Sequence, residues 1–169
     1  MDKSGHAQMR IGHVHLKVAD LERAISFYRD VLGFELTQRY GSQAAFLSAG
    51  GYHHHIGLNT WESLGASPPP QHATGLYHLA ILYPDRAELA KAVRAVLTAG
   101  IELEGASDHG VSEAIYLRDP DDNGVELYWD RPPEQWPRTP DGGLAMFTRP
   151  LDLDGLLREA PAPGHESRR

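Results

Sequence analysis

Cysteine is absent from this chain of 169 residues, and its absence removes two kinds of site from consideration. Without thiols there is no disulfide bond and no thiolate-bound metal, so a metal ion must be held by histidine, aspartate, glutamate or water. Basic residues are also in the minority, with 16 Lys and Arg against 23 Asp and Glu and a formal charge of −7. Because nucleic-acid binding needs clustered cations, we expect no nucleic-acid partner.

Long apolar runs are absent as well. No segment approaches the length of about 20 residues that a membrane-spanning helix requires, so we expect no membrane partner. The first ten residues lack an apolar signal core, which favours a cytoplasmic protein over a secreted one. Hydrophobic residues make up 41% and charged residues 23%, the composition of a globular chain that can bury a core. The unusual feature is the histidine content, which is ten residues.

Two similar halves follow one another along the chain. In each half an alternating strand precedes an amphipathic helix and three short strands, which predicts two βαβββ modules and the α+β fold class. We place the modules at residues 10–60 and 76–130, with a proline-containing linker at 61–75. An internal repeat of this length indicates a pair of modules and not a solenoid.

Both predicted helices carry signals at their ends. Asp20 is expected to cap the first helix, and Gly33 lies where a left-handed residue should end it. In the second half, Asp85 and Glu88 form a capping box, and Gly100 follows the last helical residue. These signals indicate helices at equivalent places in the two modules.

Two further segments flank the modules. Residues 1–9 form a short N-terminal extension. Residues 131–169 contain seven of the twelve prolines around an apolar patch at 144–157. We expect this C-terminal tail to pack against the body without joining a sheet and to fray after about residue 160.

Glu126 is the residue that first suggests a metal site. It lies between Val125 and Leu127 in a predicted strand, where a carboxylate loses hydration at a cost of several kcal/mol unless it is paired. His13 and His78 begin the two modules at equivalent places, 65 residues apart. Two histidines and a carboxylate leave open positions on a metal, which suits non-haem Fe(II) enzymes that activate oxygen. Taken separately, each histidine is better explained as a structural residue, because a lone histidine on a strand is usually structural.

The segment HVHLKVADLERAISFYRDVLGFE (13–35) resembles the opening of a module in the vicinal oxygen chelate superfamily. That superfamily includes glyoxalase I, fosfomycin and bleomycin resistance proteins, and extradiol ring-cleaving dioxygenases. The resemblance covers about residues 10–130 and implies two paired modules that form a curved eight-stranded mixed sheet around a metal site. It places His13, His78 and Glu126 at the metal-ligand positions. The tail is similar to that of the small catechol 2,3-dioxygenase-like members.

The stretch from His109 to Glu126 resembles the extradiol dioxygenases more specifically. In that branch a histidine, a tyrosine, an Asp-Pro pair and the ligand glutamate follow in this order, and the ten-residue step from Tyr116 to Glu126 fits. The resemblance implies that His109 and Tyr116 orient the substrate; a plain core role for Tyr116 is the alternative. Asp122 departs from the pattern, which has glycine there, and we expect it to change the turn and not the metal site.

The strand GYHHHIGLN (51–59) separates the dioxygenase hypothesis from the glyoxalase hypothesis. Glyoxalase I carries a glutamate ligand on the last strand of its first module, and this strand has none. It resembles instead the dioxygenase pattern of a catalytic histidine, two further residues, a small residue and leucine, which implies that His54 is catalytic. His53 and His55 are interpreted as surface or hydrogen-bonded histidines. His15 corresponds to a polar position close to the metal and substrate, with a structural role as the alternative.

The resemblance as a whole implies an extradiol dioxygenase that opens a small-molecule catechol with O2. Its cofactor would be Fe(II), with Mn(II) as the alternative ion. A glyoxalase I-like or resistance-protein-like metalloenzyme is the first competing hypothesis, and the missing glutamate weighs against it. A non-catalytic small-molecule-binding member of the superfamily is the second, and the complete ligand triad weighs against that. We further expect a homo-oligomer.

Overall fold

One sheet is built from each half of the sequence. The structure, a computed structural model, describes residues 8–160. It divides between Ser67 and Pro68 into two units, and each unit contains one sheet and the helix that covers it. The α+β class and the two βαβββ modules are therefore confirmed. The division lies inside the segment proposed as the linker, residues 61–75.

The first unit contains four strands and one main helix. Their bounds are β1 (Val14–Lys17), α1 (Leu21–Ser26), β2 (Glu35–Tyr40), β3 (Ala44–Ser48) and β4 (Ile56–Asn59). The sheet order is β1-β4-β3-β2, in which β1 runs parallel to β4 and the other pairs are antiparallel. The last strand is shorter than the segment 51–59 that the sequence pattern indicated, because the chain enters the sheet only at Ile56.

The helix of the first unit begins and ends where its local chemistry predicts. The Asp20 carboxylate accepts a hydrogen bond of 3.0 Å from the backbone N–H of Arg23, which satisfies one of the free donors of the first turn. Beyond α1 the helix continues as a π-helical segment, Phe27–Val31. Gly33 then adopts φ +84°, a left-handed conformation that glycine takes without steric cost. The helix buries its apolar stripe on the sheet through Leu21, Ala24 and Ile25.

The second unit repeats this order and adds a strand and a helix. Its elements are β5 (Leu79–Tyr83), α2 (Arg86–Thr98), β6 (Leu103–Asp108), β7 (Ser112–Arg118), β8 (Gly124–Asp130), β9 (Arg149–Pro150) and α3 (Leu153–Arg158). The sheet order is β5-β8-β7-β6-β9, with β5 parallel to β8. The Asp85 side chain accepts from the Glu88 N–H at 2.8 Å, which is one half of the predicted capping box, and the Glu88 carboxylate pairs with Lys91. No helix within residues 8–160 is both long and apolar enough to cross a bilayer.

The C-terminal tail contributes to the sheet, so the expectation that it stays outside is wrong. Strand β9 pairs antiparallel with β6, and the pairing gives this otherwise free sheet edge backbone partners. Helix α3 packs on α2, with the Leu156 side chain fully buried. The carbonyl of Leu157 accepts a 2.6 Å hydrogen bond from Arg94. The predicted fraying after about residue 160 lies outside the described residues.

The burial of Leu156 predicts that the tail is part of the cooperative fold. We expect Leu156→Ala to lower the free energy of unfolding by about 2–5 kcal/mol, because it removes buried methyl groups and leaves a cavity between two helices. The control is Leu97→Ala on α2, where the leucine is 41% exposed and the expected loss is within about 0.5 kcal/mol. Urea unfolding of both variants measures the difference. Equal, small losses would show that the tail unfolds separately.

Candidate active site

Glu126 leaves the sheet on the face opposite its apolar neighbours. Val125 and Leu127 are buried, and successive side chains of a strand point to opposite faces, so the carboxylate does not enter that core. The Glu126 side chain is nevertheless only 13% exposed, and its Oε2 lies 2.8 Å from His78 Nε2. His78 directly precedes β5, which runs parallel to β8. In the pairing of these two strands Leu79 lies opposite Val125. The imidazole is therefore one close partner of the partly buried carboxylate, and the Tyr116 hydroxyl is hydrogen-bonded to the same carboxylate.

A glycine on β8 makes this approach possible. A Cβ atom at Gly124 would lie 2.1 Å from the carbonyl oxygen of Tyr77 and 3.0 Å from His78 Cβ. Because the first of these atoms is backbone, a larger residue would push the segment that carries His78 away from the strand. The sequence pattern alone did not indicate this role, although a glycine within a strand is a known sign of close backbone approach.

The His78–Glu126 pair fits two of the three expected metal ligands. The second ring nitrogen of His78, Nδ1, is buried and has no hydrogen-bond partner in the described part of the chain. Its Nε2 and the Glu126 carboxylate oxygen face each other, as two donors to a shared ion would. Within residues 8–160 no group of three or more histidine, aspartate or glutamate side chains is close enough to hold a metal. His13, the third expected ligand, belongs to the first unit.

Tyr116 and His109 extend the site along the same face of the sheet. Tyr116 on β7 pairs in register with Glu126, and its hydroxyl lies 2.7 Å from His109 Nε2. Burial, followed by the negative charge of Glu126, raises the pKa of Tyr116 to about 12, so the hydroxyl keeps its proton at neutral pH. A cleft of about 200 Å³ borders Tyr116 and His78, and its lining includes neither Glu126 nor His109. The second unit thus brings four of the predicted site residues together.

An ionic clamp holds the loop that carries His109. Arg131 donates to both carboxylate oxygens of Asp108, at 2.6 and 3.0 Å, and to Glu113 at 2.9 Å. Burial of Asp108 opposes its ionisation, but the hydrogen bonds from Arg131 and from the Gly110 N–H outweigh it and lower the pKa of this carboxyl. The charged form therefore persists at neutral pH and keeps the bidentate contact. Neither Arg131 nor Asp108 was among the residues that the sequence pattern indicated.

His13 and His54 lie together in the first unit. His13 directly precedes β1, and His54 lies in the loop before β4 and not on the strand as predicted. Their ring centroids are 4.4 Å apart, and His54 Nδ1 is 2.7 Å from His53 Nδ1. Burial, followed by the neighbouring histidines, lowers the pKa of His54. A neutral imidazole at this place is able to accept a proton.

His15 explains the small residue that follows His54 in the sequence pattern. Its ring lies on Gly57, where an added Cβ would come within 2.9 Å of the ring, and it packs near Phe46 and Trp61 with centroid distances of 5.9 and 5.6 Å. Burial, followed by the charge of His13, lowers the pKa of His15. The glycine is thus required by a ring on the neighbouring strand.

Residues 10–127 match the Glyoxalase/Bleomycin resistance protein/Dioxygenase superfamily. The chain belongs to this superfamily. The match covers the first βαβββ module and the second as far as residue 127 in β8, and it includes His13, His78 and Glu126. Membership confirms the vicinal oxygen chelate resemblance that the sequence motifs indicated.

Relatives within the superfamily include several dioxygenases. A catechol-2,3-dioxygenase of Bacillus subtilis is 42% identical over 156 residues, which cover 92% of this chain and 53% of the relative. A biphenyl-2,3-diol 1,2-dioxygenase of Rhodococcus globerulus is 31% identical over 121 residues, which cover 72% of this chain and 63% of the relative. The chain therefore spans about half to two thirds of the length of these curated relatives.

Solved structures of the superfamily share the fold. A glyoxalase/dioxygenase from Nostoc punctiforme has a TM-score of 0.64 and 20% identity, covering 78% of this chain and 98% of that one. A lactoylglutathione lyase from Agrobacterium tumefaciens has a TM-score of 0.57 and 25% identity, covering 73% and 95%. The superfamily fold is confirmed by these matches.

The close approach at Gly124 predicts that even a methyl group disturbs the site. We expect Gly124→Ala to lower the free energy of unfolding by about 1–3 kcal/mol, the usual cost of overpacking, and to shift the NMR resonances of the His78 ring. Gly105→Ala is the matched control, since its Cβ would have an ordinary contact of 3.7 Å with Tyr116. Unfolding curves and histidine ring spectra of both variants measure the two effects. An unmoved His78 signal in Gly124→Ala would contradict the assigned role.

Proposed function

We propose that the protein is a metal-dependent extradiol ring-cleaving dioxygenase that acts on a catechol-type aromatic with O2. The observation that carries the proposal is the arrangement of four side chains in the second unit: His78, Glu126, Tyr116 and His109. Two potential metal donors, 2.8 Å apart, stand beside a tyrosine–histidine pair joined by a 2.7 Å hydrogen bond. The 42% identity to a protein named catechol-2,3-dioxygenase supports the same reaction.

The proposed metal ligands are His13, His78 and Glu126. Support comes from the equivalent places of the two histidines, each directly before the first strand of its own sheet. Two neutral imidazoles and one carboxylate suit Fe(II), with Mn(II) as the alternative; a Geobacillus relative of 29% identity is named as manganese-dependent. When bound, the ion would hold the catechol oxygens and dioxygen together and carry charge between them.

The remaining residues would manage protons. Tyr116 and His109 would receive the proton of a substrate hydroxyl and stabilise the charge that remains. His54, in the first unit, would accept a second proton and return it later, because a neutral imidazole can do both near neutral pH. His15 would have a positioning role, because its ring packs on Gly57 of the neighbouring strand and near Phe46 and Trp61.

A glyoxalase-like isomerase is the second candidate, favoured by the 25% identity to a lactoylglutathione lyase. That function would require a further carboxylate ligand from the last strand of the first module. Strand β4 has the sequence Ile56-Gly57-Leu58-Asn59 and supplies no carboxylate. The dioxygenase proposal is therefore preferred.

Anaerobic reconstitution tests the metal assignment. We expect the purified chain to retain one Fe(II) and, after admission of O2, to form a yellow ring-opened product from at least one catechol of a substituted series. Glu126→Gln should lose the metal, because it removes the only negative ligand while keeping the shape of the side chain. Glu102→Gln, an exposed carboxylate, should retain it. If Glu126→Gln retained as much iron as the wild type, Glu126 would not be a metal ligand.

The role of His54 is tested by comparing two glutamine substitutions. We expect His54→Gln to keep the metal but to lower kcat by about a hundredfold or more, the usual contribution of a general acid–base. His72→Gln, in the exposed segment between the modules, should leave kcat unchanged. Metal analysis and catechol turnover are measured on the same preparations. Parallel loss of metal and activity would instead make His54 a ligand and favour the glyoxalase-like candidate.

A further inference from the structure

A backbone carbonyl of the C-terminal tail faces the histidine of the second unit's site. His109 Nδ1 lies 3.0 Å from the carbonyl oxygen of Phe147, and the Phe147 N–H donates to the His109 carbonyl at 3.2 Å. The other ring nitrogen, Nε2, lies 2.7 Å from the Tyr116 hydroxyl. His109 is therefore held between the tail on one side and β7 on the other.

The chemistry of a carbonyl decides where the neutral ring carries its proton. A carbonyl oxygen only accepts, so the ring nitrogen that faces it must be the protonated one, and Nε2 is left with a free lone pair. The Thr148 hydroxyl lies 3.2 Å from Nδ1, but a hydroxyl accepts or donates equally well and adapts to either form. With Nε2 unprotonated, the Tyr116 hydroxyl can donate to it at 2.7 Å; the Glu126 carboxylate, to which Tyr116 is also hydrogen-bonded, is the second acceptor for the same proton.

We propose that Phe147 is a positioning residue whose carbonyl oxygen fixes His109 in the Nδ1–H tautomer and so sets the direction of proton movement through His109 and Tyr116. In this tautomer both neighbours of the Tyr116 proton, His109 Nε2 and the Glu126 carboxylate, are acceptors, and the Tyr116 oxygen keeps its lone pairs for another donor. In the opposite tautomer His109 would donate to Tyr116, and Tyr116 would then give its proton to Glu126 or to a ligand. The carbonyl thus makes the pair a proton acceptor.

The consequence for chemistry rests on the proposed function. A substrate hydroxyl transfers its proton to the Tyr116 oxygen while Tyr116 passes its own proton to His109 Nε2. One O–H bond breaks on the substrate, one O–H bond is exchanged on Tyr116, and one N–H bond forms on His109. The substrate gains a negative charge and His109 becomes an imidazolium, which the Phe147 carbonyl stabilises through the Nδ1–H hydrogen bond. Tyr116 itself never needs to ionise.

The Phe147 carbonyl lies in a segment that packing contacts hold in place. Gly110, which has φ +80°, leaves room for the tail: an added Cβ would lie 2.6 Å from the Phe147 ring and 2.8 Å from Pro137. The Arg149 guanidinium lies 4.2 Å from the centroid of the Phe147 ring. The segment is held at both ends: the Phe147 N–H donates to the His109 carbonyl, and β9, which begins directly after Thr148, pairs with β6.

The tautomer is measured directly by two-bond 1H–15N NMR of the full-length protein, labelled with 15N-histidine and purified without added metal. The pH is about 8.5, above the unperturbed histidine pKa of about 6.5. The His109 signals are assigned by their loss in His109→Gln. We expect a protonated Nδ1 and an unprotonated Nε2. A protonated Nε2 in the wild type overturns the proposal, whether or not the protein turns over catechols.

Two variants separate the carbonyl from the neighbouring hydroxyl. Replacing Thr148 by its α-hydroxy acid converts the amide carbonyl of Phe147 into a weaker-accepting ester carbonyl, and the tautomer should shift toward Nε2–H. Thr148→Val removes the hydroxyl, keeps the amide, and should leave Nδ1–H unchanged. A shift in Thr148→Val, or none in the ester, overturns the proposal. If the wild type is a dioxygenase, the ester should lower kcat more than it changes KM, as expected for a transition-state effect.

Discussion

The register of strand β8 is the constraint on which the site in the second unit depends. Side chains alternate along a strand, so a slip of one residue would bury Glu126 and expose Val125 and Leu127. The burial of these two apolar side chains and the parallel pairing of β8 with β5 oppose such a slip. The same register places Tyr116 opposite Glu126. Hydrophobic burial on one face thus fixes the polar geometry on the other.

Glycine solves a similar steric problem in each module. On β4, Gly57 leaves room for the His15 ring, and on β8, Gly124 leaves room for the backbone before His78. Each of these strands runs parallel to the first strand of its sheet; His15 lies on that first strand in one module, and His78 directly precedes it in the other. Close approach between the first and last strands of a module is therefore a shared feature of the two halves. In each half, a glycine on the last strand allows a histidine on or next to the first strand to lie against it.

The C-terminal tail has more than a covering role in the second unit. It extends the sheet through β9, buries Leu156 against α2, and presents the Phe147 carbonyl to His109. The charged clamp of Arg131 on Asp108 fixes the other side of the same loop. Stability and positioning of the site are coupled here, since the contacts that hold the tail also hold the histidine.

The two βαβββ modules, the helix caps at Asp20 and Asp85, and the residue types proposed for the site were predictable from the amino-acid sequence. These signals are local: a cap or an alternating strand depends on neighbours within a few positions. Three features become visible only in the folded chain: the tail joins the sheet, His54 lies in a loop, and the Phe147 carbonyl lies against His109. Every residue has the same backbone carbonyl, so the sequence does not show that the Phe147 carbonyl contacts His109. The pairing of β9 with β6 joins segments about 40 positions apart, and a local sequence pattern does not predict it.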